Sequence, residues 1–369
     1  MKESTTKSMK KFGVSAVALS TALLVGCGSA ASSSASSAAS VTADSASSAS
    51  EAQADSTAAS GKRVLTYAQH NSKDSTNGQT TQVFADYINE HSDTMEVDVY
   101  YNGELGGIQE AVEGVAMGTI DMTASSFASL SSLYADMEVF SMPYLVKSGE
   151  DNLKLMDLEN NETLKEIIGG FEQASGLKVF GVQASYEARQ LTANFEVHSP
   201  DDLKGHKIRS ITNDVYTMAV EGLGGTPVPI DWTETPTALS TGTVEGQENP
   251  YSTLVSCQMW DVQKYVMETN HIFDSSVSVV SQDLWDELTT DEQQVLVDAN
   301  AAMQEYSYKT QKENQDAYRQ ECIDNGMTVV TEAEGLDIDA FKSNTDTLKS
   351  ARYAKYQAYF DALDAYLGY

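Results

Sequence analysis

Apolar positions from Arg63 onward switch repeatedly between a period of two and a period near three and a half. "RVLTYAQ" (63–69) reads as a strand, and "TTQVFADYINEH" places Val83, Phe84, Tyr87 and Ile88 on one helical face. "MEVDVYY" alternates Met95, Val97 and Val99 with acids, the pattern of a half-exposed strand. "GIQEAVEGVAMG" returns to helical spacing through Ile108, Ala111, Val112 and Val115. A strand follows in "TIDMTAS", then helix in "ASLSSLYADM" and through "EDNLKLMDLENNETLKEIIGGFEQAS", then the strand "GLKVFGVQAS". A second series begins near Glu187: "RQLTAN", "HKIRS", a helix through "DVYTMAVEGLG", the short strand "TPVPI" and a helix in "TETPTALSTG". Pro236 is compatible with that helix because it falls in the first turn. "VQKYVMETNHIFDSSVSVVSQ" is strand-rich. One long helix, opened by a Thr290/Gln293 capping box, is expected from there to "CIDNG", and a last helix spans "TDTLKSARYAKYQAYFDALDAYL". Two such alternating runs predict an α/β chain of two lobes with mostly parallel sheets, crossed more than once by the backbone. No tandem repeat is present.

The first 60 residues break this pattern. "MKESTTKSMKK" carries four lysines and one glutamate, and the uncharged run "FGVSAVALSTALLVG" ends at Cys27. A basic front and an apolar run too short to span a bilayer predict a secretory signal. Residues 28–60 are almost all Ala, Ser, Thr and Asp, a composition that predicts a flexible tether. The whole chain has a formal net charge of −31; without the signal, 19 basic residues face 53 acids, or −34. That charge disfavours nucleic acid and anionic headgroups. Membrane attachment through a basic face is therefore not expected. The remaining cysteines, Cys257 and Cys322, leave pairing open.

Enzyme signatures are thin. The five histidines (His70, His91, His198, His206 and His271) form no metal-ligand spacing, and no C-x-x-C, nucleophile elbow, phosphate loop or dinucleotide fingerprint occurs. "GELGG" and "GLGG" read as turn glycines. The scarce residue is arginine. Between Gly61 and His271 it appears only at Arg63, Arg189 and Arg209. "SPDDLKGHKIRS" punctuates the approach to Arg209: Ser199 as cap, Pro200 in the first turn, Asp202 three residues on, Gly205 as stop. A guanidinium offers a planar fork of donors matched to a carboxylate. "GQENP" adds the neutral amide of Asn249.

"SPDDLKGHKIRS", "LGGTPVPIDWTETPTALSTGTVEGQENP" and "VQKYVMETNH" together resemble the substrate-binding subunit of tripartite ATP-independent periplasmic (TRAP) transporters. "YNGELGGIQEAVEGVAMGTIDM", "FSMPYLV" and "LWDELTTDEQQVLVDAN" agree, so the resemblance runs from about residue 63 to the end. It implies a two-lobed, type II periplasmic-binding-protein-like α/β fold with hinge crossings and long C-terminal helices. Residues 61–186 plus about 272–314 would form lobe I, and 187–271 plus about 315–369 lobe II. "LVGC" is similar to a lipobox, which implies a signal over 1–27 and lipidation of a retained Cys27.

The resemblance also implies the function: capture of a small organic acid anion, delivery to TRAP permease subunits, no cofactor or metal, no catalysis, and a monomer lipid-anchored on the extracytoplasmic face. Arg209 would make the two-pronged salt bridge, Arg189 a second cationic contact, and Asn249 a bond to a carboxylate oxygen. Gln69, His70, Ser125 and Ser126 would line the pocket from lobe I. Trp232 stands where the family more often has phenylalanine, and Pro236 where tyrosine is common, so the far wall of the pocket is reshaped. A receptor for an ATP-driven (ABC) importer or a membrane sensor shares fold and anchor, and a secreted hydrolase is the remaining alternative.

Overall fold

Residues 61–369 are described by the structure, a computed structural model. The expected signal, the lipidated Cys27 and the tether lie outside the described residues. Among the described residues no helix is long and apolar enough to cross a membrane.

The strands in chain order are β1 Arg63–Ala68, β2 Met95–Tyr100, β3 Met122–Ser126, β4 Leu177–Ala188, β5 Gln190–Ala193, β6 Lys207–Ser210, β7 Thr226–Pro229, β8 Gly246–Asn249, β9 Tyr265–Met267, β10 Phe273–Ser281 and β11 Thr328–Val330. They form two sheets, β2-β1-β3-β10-β4 in lobe I and β11-β9-β5-β8-β6-β7 in lobe II. The alternation read from the sequence holds in β2, where Met95 and Val97 are buried and Asp98 is exposed. Helix Thr76–His91 buries Phe84 and Ile88 against Leu65 and Tyr67 of β1, with Val83 and Tyr87 half-buried at the rim.

Both sheets are mixed rather than mostly parallel. The chain leaves lobe I along β4 and returns along β10, so β10 runs antiparallel to β4 and to β3. In lobe II the entering strand β5 is likewise antiparallel to the departing β9 and to β8. Traffic through the hinge imposes these reversals, and no local pattern announces them.

Two helices expected to be continuous are broken. "DLENN" stops the first: the Asp157 carboxylate accepts from the Glu159 and Asn160 amides, and Asn161 caps a new helix Glu162–Ser175 after Gly149–Leu155. The C-terminal helix divides at Tyr353 into Ile338–Arg352 and Gln357–Leu367. The long helix is continuous, Thr290–Asp324, but its capping box is Thr289 with Glu292, one residue earlier than expected.

The division at Tyr353 carries a correction to the lobe boundaries. Phe341 of the first half belongs to the lobe II core with Leu203, Ile208 and Val220. Phe360, Leu363 and Leu367 of the second half instead pack with Leu155, Leu164 and Ile167 of lobe I. The last helix, Gln357–Leu367, therefore packs on the lobe I side, where the expected boundary had placed all of 315–369 in lobe II. The reason is apolar area: the exposed flank of lobe I needs a cover, and the last helix supplies one.

At the hinge, Arg189 alone separates β4 from β5. Its backbone amide donates to Ile272 O (2.8 Å), which belongs to the return crossing. Gln190 and Asn270 bind each other reciprocally, Nε2 to Oδ1 at 2.8 Å and backbone N to Oε1 at 3.1 Å. Asn270 holds φ 44°, a left-handed conformation that non-glycine residues seldom adopt.

Candidate functional site

Arg209 owes its position to the punctuation before it. Asp202 accepts from the His198 and Ser199 amides (2.9 Å each), closing a single turn Pro200–Leu203. Gly205 then reverses the chain at φ +85°, and β6 begins at Lys207. Parallel pairing sets Arg209 opposite Val228 of β7. The side chain is 1% exposed, and its Nε donates to Ile230 O at 2.9 Å. Cζ lies 5.7 Å from the Trp232 ring centroid, a cation–π contact on one face of the guanidinium. Among the described residues, the two terminal nitrogens have no hydrogen-bond partner. Burial lowers the guanidinium to about 10, against the opposing pull of Glu248. It remains a cation at neutral pH, desolvated and without a direct counter-ion.

This group faces a cleft of about 200 Å³ between the two sheets. All eight expected site residues line it: Gln69, His70, Ser125 and Ser126 from lobe I, and Arg189, Arg209, Trp232 and Asn249 from lobe II and its hinge. They are brought together but do not hold equivalent states. Gln69 is already engaged, donating to Thr81 Oγ1 (2.6 Å) and accepting from the Asn71 amide (2.9 Å). Ser126 caps a helical turn through Ser129 N (3.2 Å). Ser125 Oγ is buried without a partner among the described residues. His70 has no bonded partner among them either, and burial drops its imidazole to about 4, leaving it neutral.

Arg189 differs most from expectation. Its Nε meets Glu248 Oε2 at 2.5 Å, and its Nη2 meets Glu248 Oε1 (3.0 Å), Glu248 O (2.8 Å) and Asn249 Oδ1 (2.9 Å). Nη1 faces Asp274 Oδ2 at 3.3 Å. Each of its nitrogens already points at an acceptor, so this arginine frames the site and is not an open cation. Burial alone would push the Glu248 carboxyl up, but Arg189 and His271 outweigh it and hold it at about 2. His271 reaches the same carboxylate through Nε2 (3.1 Å) and meets Thr269 Oγ1 through Nδ1 (2.8 Å), a structural role. Asn249 gives its Oδ1 to Arg189 and one N–H to Gln247 Oε1 (2.5 Å). One amide hydrogen is left for a guest.

Sequence reasoning missed Glu248 and Asp274. Glu248 carried a usable signal, a lone carboxylate inside the fully buried strand "GQEN". Asp274 carried none, because its neighbours in space come from both lobes. Rim contacts also join the lobes: Asn213 Nδ2 donates to Ala128 O (2.5 Å) and Ser131 Oγ (3.0 Å). Gly107, one of the turn glycines, lies so near Asp231 that a Cβ there would sit 2.8 Å from Oδ2.

The family model for bacterial extracellular solute-binding proteins, family 7 (DctP), matches residues 67–357. The chain belongs to this family. It is a TRAP-type extracytoplasmic solute receptor and not an enzyme. A 2,3-diketo-L-gulonate-binding periplasmic protein of Escherichia coli K12, YiaO, is 27% identical over 287 residues, 78% of this chain and 85% of that one. A solute-binding protein of Verminephrobacter eiseniae is 30% identical over 204 residues, covering 55% of this chain and 60% of its own. The crystal structure of a TRAP periplasmic solute-binding protein from Roseobacter denitrificans, with bound L-galactonate, matches at TM-score 0.74 and 25% identity. It covers 81% of this chain and 98% of that one. These likenesses bear out the two-lobed fold expected from the sequence.

Proposed function

We propose that this receptor captures a small organic acid by seating its carboxylate on the free end of Arg209, and closes its two lobes over it. The trapped acid is then handed to a TRAP permease, with the receptor held at the extracytoplasmic face by a lipid on Cys27. One observation carries the reading: a desolvated guanidinium whose terminal donors have no partner among the described residues and which lines the cleft. A buried cation in this state is stabilised by an incoming anion, since the pair interacts strongly where water is excluded. The spare N–H of Asn249 lies on the same wall to serve a carboxylate oxygen. Two of the relatives agree in kind, one named for binding 2,3-diketo-L-gulonate and another holding L-galactonate, while a third is named for C4-dicarboxylates.

A thermal-shift and calorimetric screen of organic acids tests this. Saturation at about 100 times the dissociation constant adds roughly 2.7 kcal/mol of stability, a shift that such a screen resolves. The expected result is stabilisation by one class of carboxylate, lost in Arg209→Ala. Stabilisation only by amino acids or metal ions would overturn it.

A further inference from the structure

Within the capture reading above, on which this inference rests, the cleft raises a question of its own. A ligand with a second carboxylate needs a second cation. Among the described residues lining the cleft there is no lysine, and the arginines are Arg189 and Arg209. Arg189 is turned inward to Glu248, and the one nitrogen it presents on the other side faces Asp274.

Asp274 is held there by a built feature. The ladder between β10 and β4 slips at this residue: Phe273 pairs with Ala188 but Ser275 with Ala184, leaving Ser185, Tyr186 and Glu187 bulged opposite Asp274. Bulges beside binding sites re-aim side chains. The fully buried Asn152 pins both edges of the slip, donating to Ser185 O and to Asp274 O at 2.9 Å each, and accepting from Ser275 Oγ at 3.0 Å. Gln311 Oε1 braces the bulged β4 residues further, through Ser185 Oγ (3.0 Å) and Tyr186 N (2.7 Å). Asp274 Oδ1 takes the Ser275 amide at 3.0 Å. Its side chain nevertheless stays 27% exposed and lines the cleft with Arg209. The carboxylate is thus fixed in place, beside Arg189 and partly open to the cleft.

We propose that Asp274 is a specificity-determining residue: it takes from within the protein the anion position opposite Arg189, rejects a second ligand carboxylate, and accepts a hydroxyl of a hydroxylated monocarboxylic acid. Like charges brought together where water is scarce repel, and an unpaired carboxylate on the ligand would meet Asp274 with no cation to offset it. A hydroxyl donates to the same oxygens at no such penalty. Ser125, with its unpartnered Oγ, supplies a neutral partner for a hydroxylated guest on the lobe I side.

Matched acids of one chain length test this: erythronate against tartrate, and gluconate against glucarate, each pair differing by oxidation of the terminal carbon. Calorimetry on the wild type is expected to show the monocarboxylate of the better-binding pair favoured at least tenfold. Asp274→Asn, which keeps shape and removes charge, and Asp274→Ala should each shrink that ratio tenfold or more, mainly by tightening the dicarboxylate. Melting curves establish that both variants fold, and the asparagine variant stands if alanine does not. An unchanged ratio in the folded variants, or wild type binding the dicarboxylate as tightly, overturns the role of Asp274 while leaving capture by Arg209 intact. Binding of both partners that survives in Arg209→Ala, or of no acid at all, overturns the capture reading and this inference with it.

Discussion

Arg189 and Glu248 clasp each other across the lobe II sheet, Nε to Oε2 at 2.5 Å and Nη2 to Oε1 at 3.0 Å, with side chains 6% and 1% exposed. A pair this buried is set by mutual neutralisation: either member alone would be an uncompensated charge in the interior. Removing one typically costs about 3–5 kcal/mol. Arg189→Ala is therefore expected to lower the unfolding free energy by about that amount in denaturant titration, beyond any effect on binding. Arg189→Met with Glu248→Leu together should recover only part of the loss, since the pair's own charges are gone but Asp274 is left without its cation. A single variant as stable as wild type would contradict the buried pairing.

Arg209 should behave in the opposite way. It has no direct counter-ion among the described residues, so Arg209→Ala removes a desolvation penalty and should leave the unliganded protein close to wild-type stability. Its effect falls on the ligand: breaking a desolvated charge pair costs about 2–5 kcal/mol, and the middle of that range is at least about a hundredfold in affinity. Arg209→Lys should also be damaging, because the fork is lost while the charge remains. Calorimetric affinities for the best acid found, compared across the three proteins, decide this.

A pH profile of binding follows from the same residue. With the free guanidinium lowered to about 10 by burial, affinity should stay flat from pH 6 to 9 and fall as pH rises through about 10, because the anion binds only the protonated form. Arg209→Ala should lose that alkaline limb.

Glu187 lies 2% exposed at the end of β4, accepting the Ser252 amide at 3.2 Å, with Oε2 unpartnered among the described residues. Burial raises its carboxyl to about 7. The folded state then holds a proton that the unfolded state releases near 4.5, so stability declines as pH climbs from about 4.5 to 7. Glu187→Gln should match wild type near pH 4 and exceed it at pH 8 by up to about 3 kcal/mol. Chemical denaturation at the two pH values tests the sign; equal effects at both would refute it.

In the proposed closure the lobes meet through rim contacts, of which Asn213 also caps helix Asp214–Gly222 through Val215 N (2.7 Å). Gly107 has φ −70°, which alanine adopts freely, yet a Cβ there would press on Asp231 across the rim. Gly107→Ala and Asn213→Ala should both speed ligand release about tenfold or more and enlarge the liganded radius of gyration, because ligand contacts favour a closed form that the rim completes. Unchanged stopped-flow release and small-angle scattering in both variants would remove the rim from the mechanism.

Local signals in this chain carried the element types, the capped turn ahead of Arg209, and the family to which the protein belongs. Periodicity sufficed for β2 and for helix Thr76–His91 because burial on one face is a local demand. Turn chemistry sufficed for "SPDDLKG" because Ser199, Pro200, Asp202 and Gly205 act within one turn of backbone. Tertiary structure decided the rest. Which arginine stays open depends on Glu248, 59 residues beyond Arg189, and on Asp274, 85 beyond it. Strand direction at the hinge and the return of helix Gln357–Leu367 to lobe I depend on surfaces that exist only once both lobes have formed. Charge pairing and apolar cover are satisfied between distant segments, so spacing along the chain leaves them open. The fold closes them.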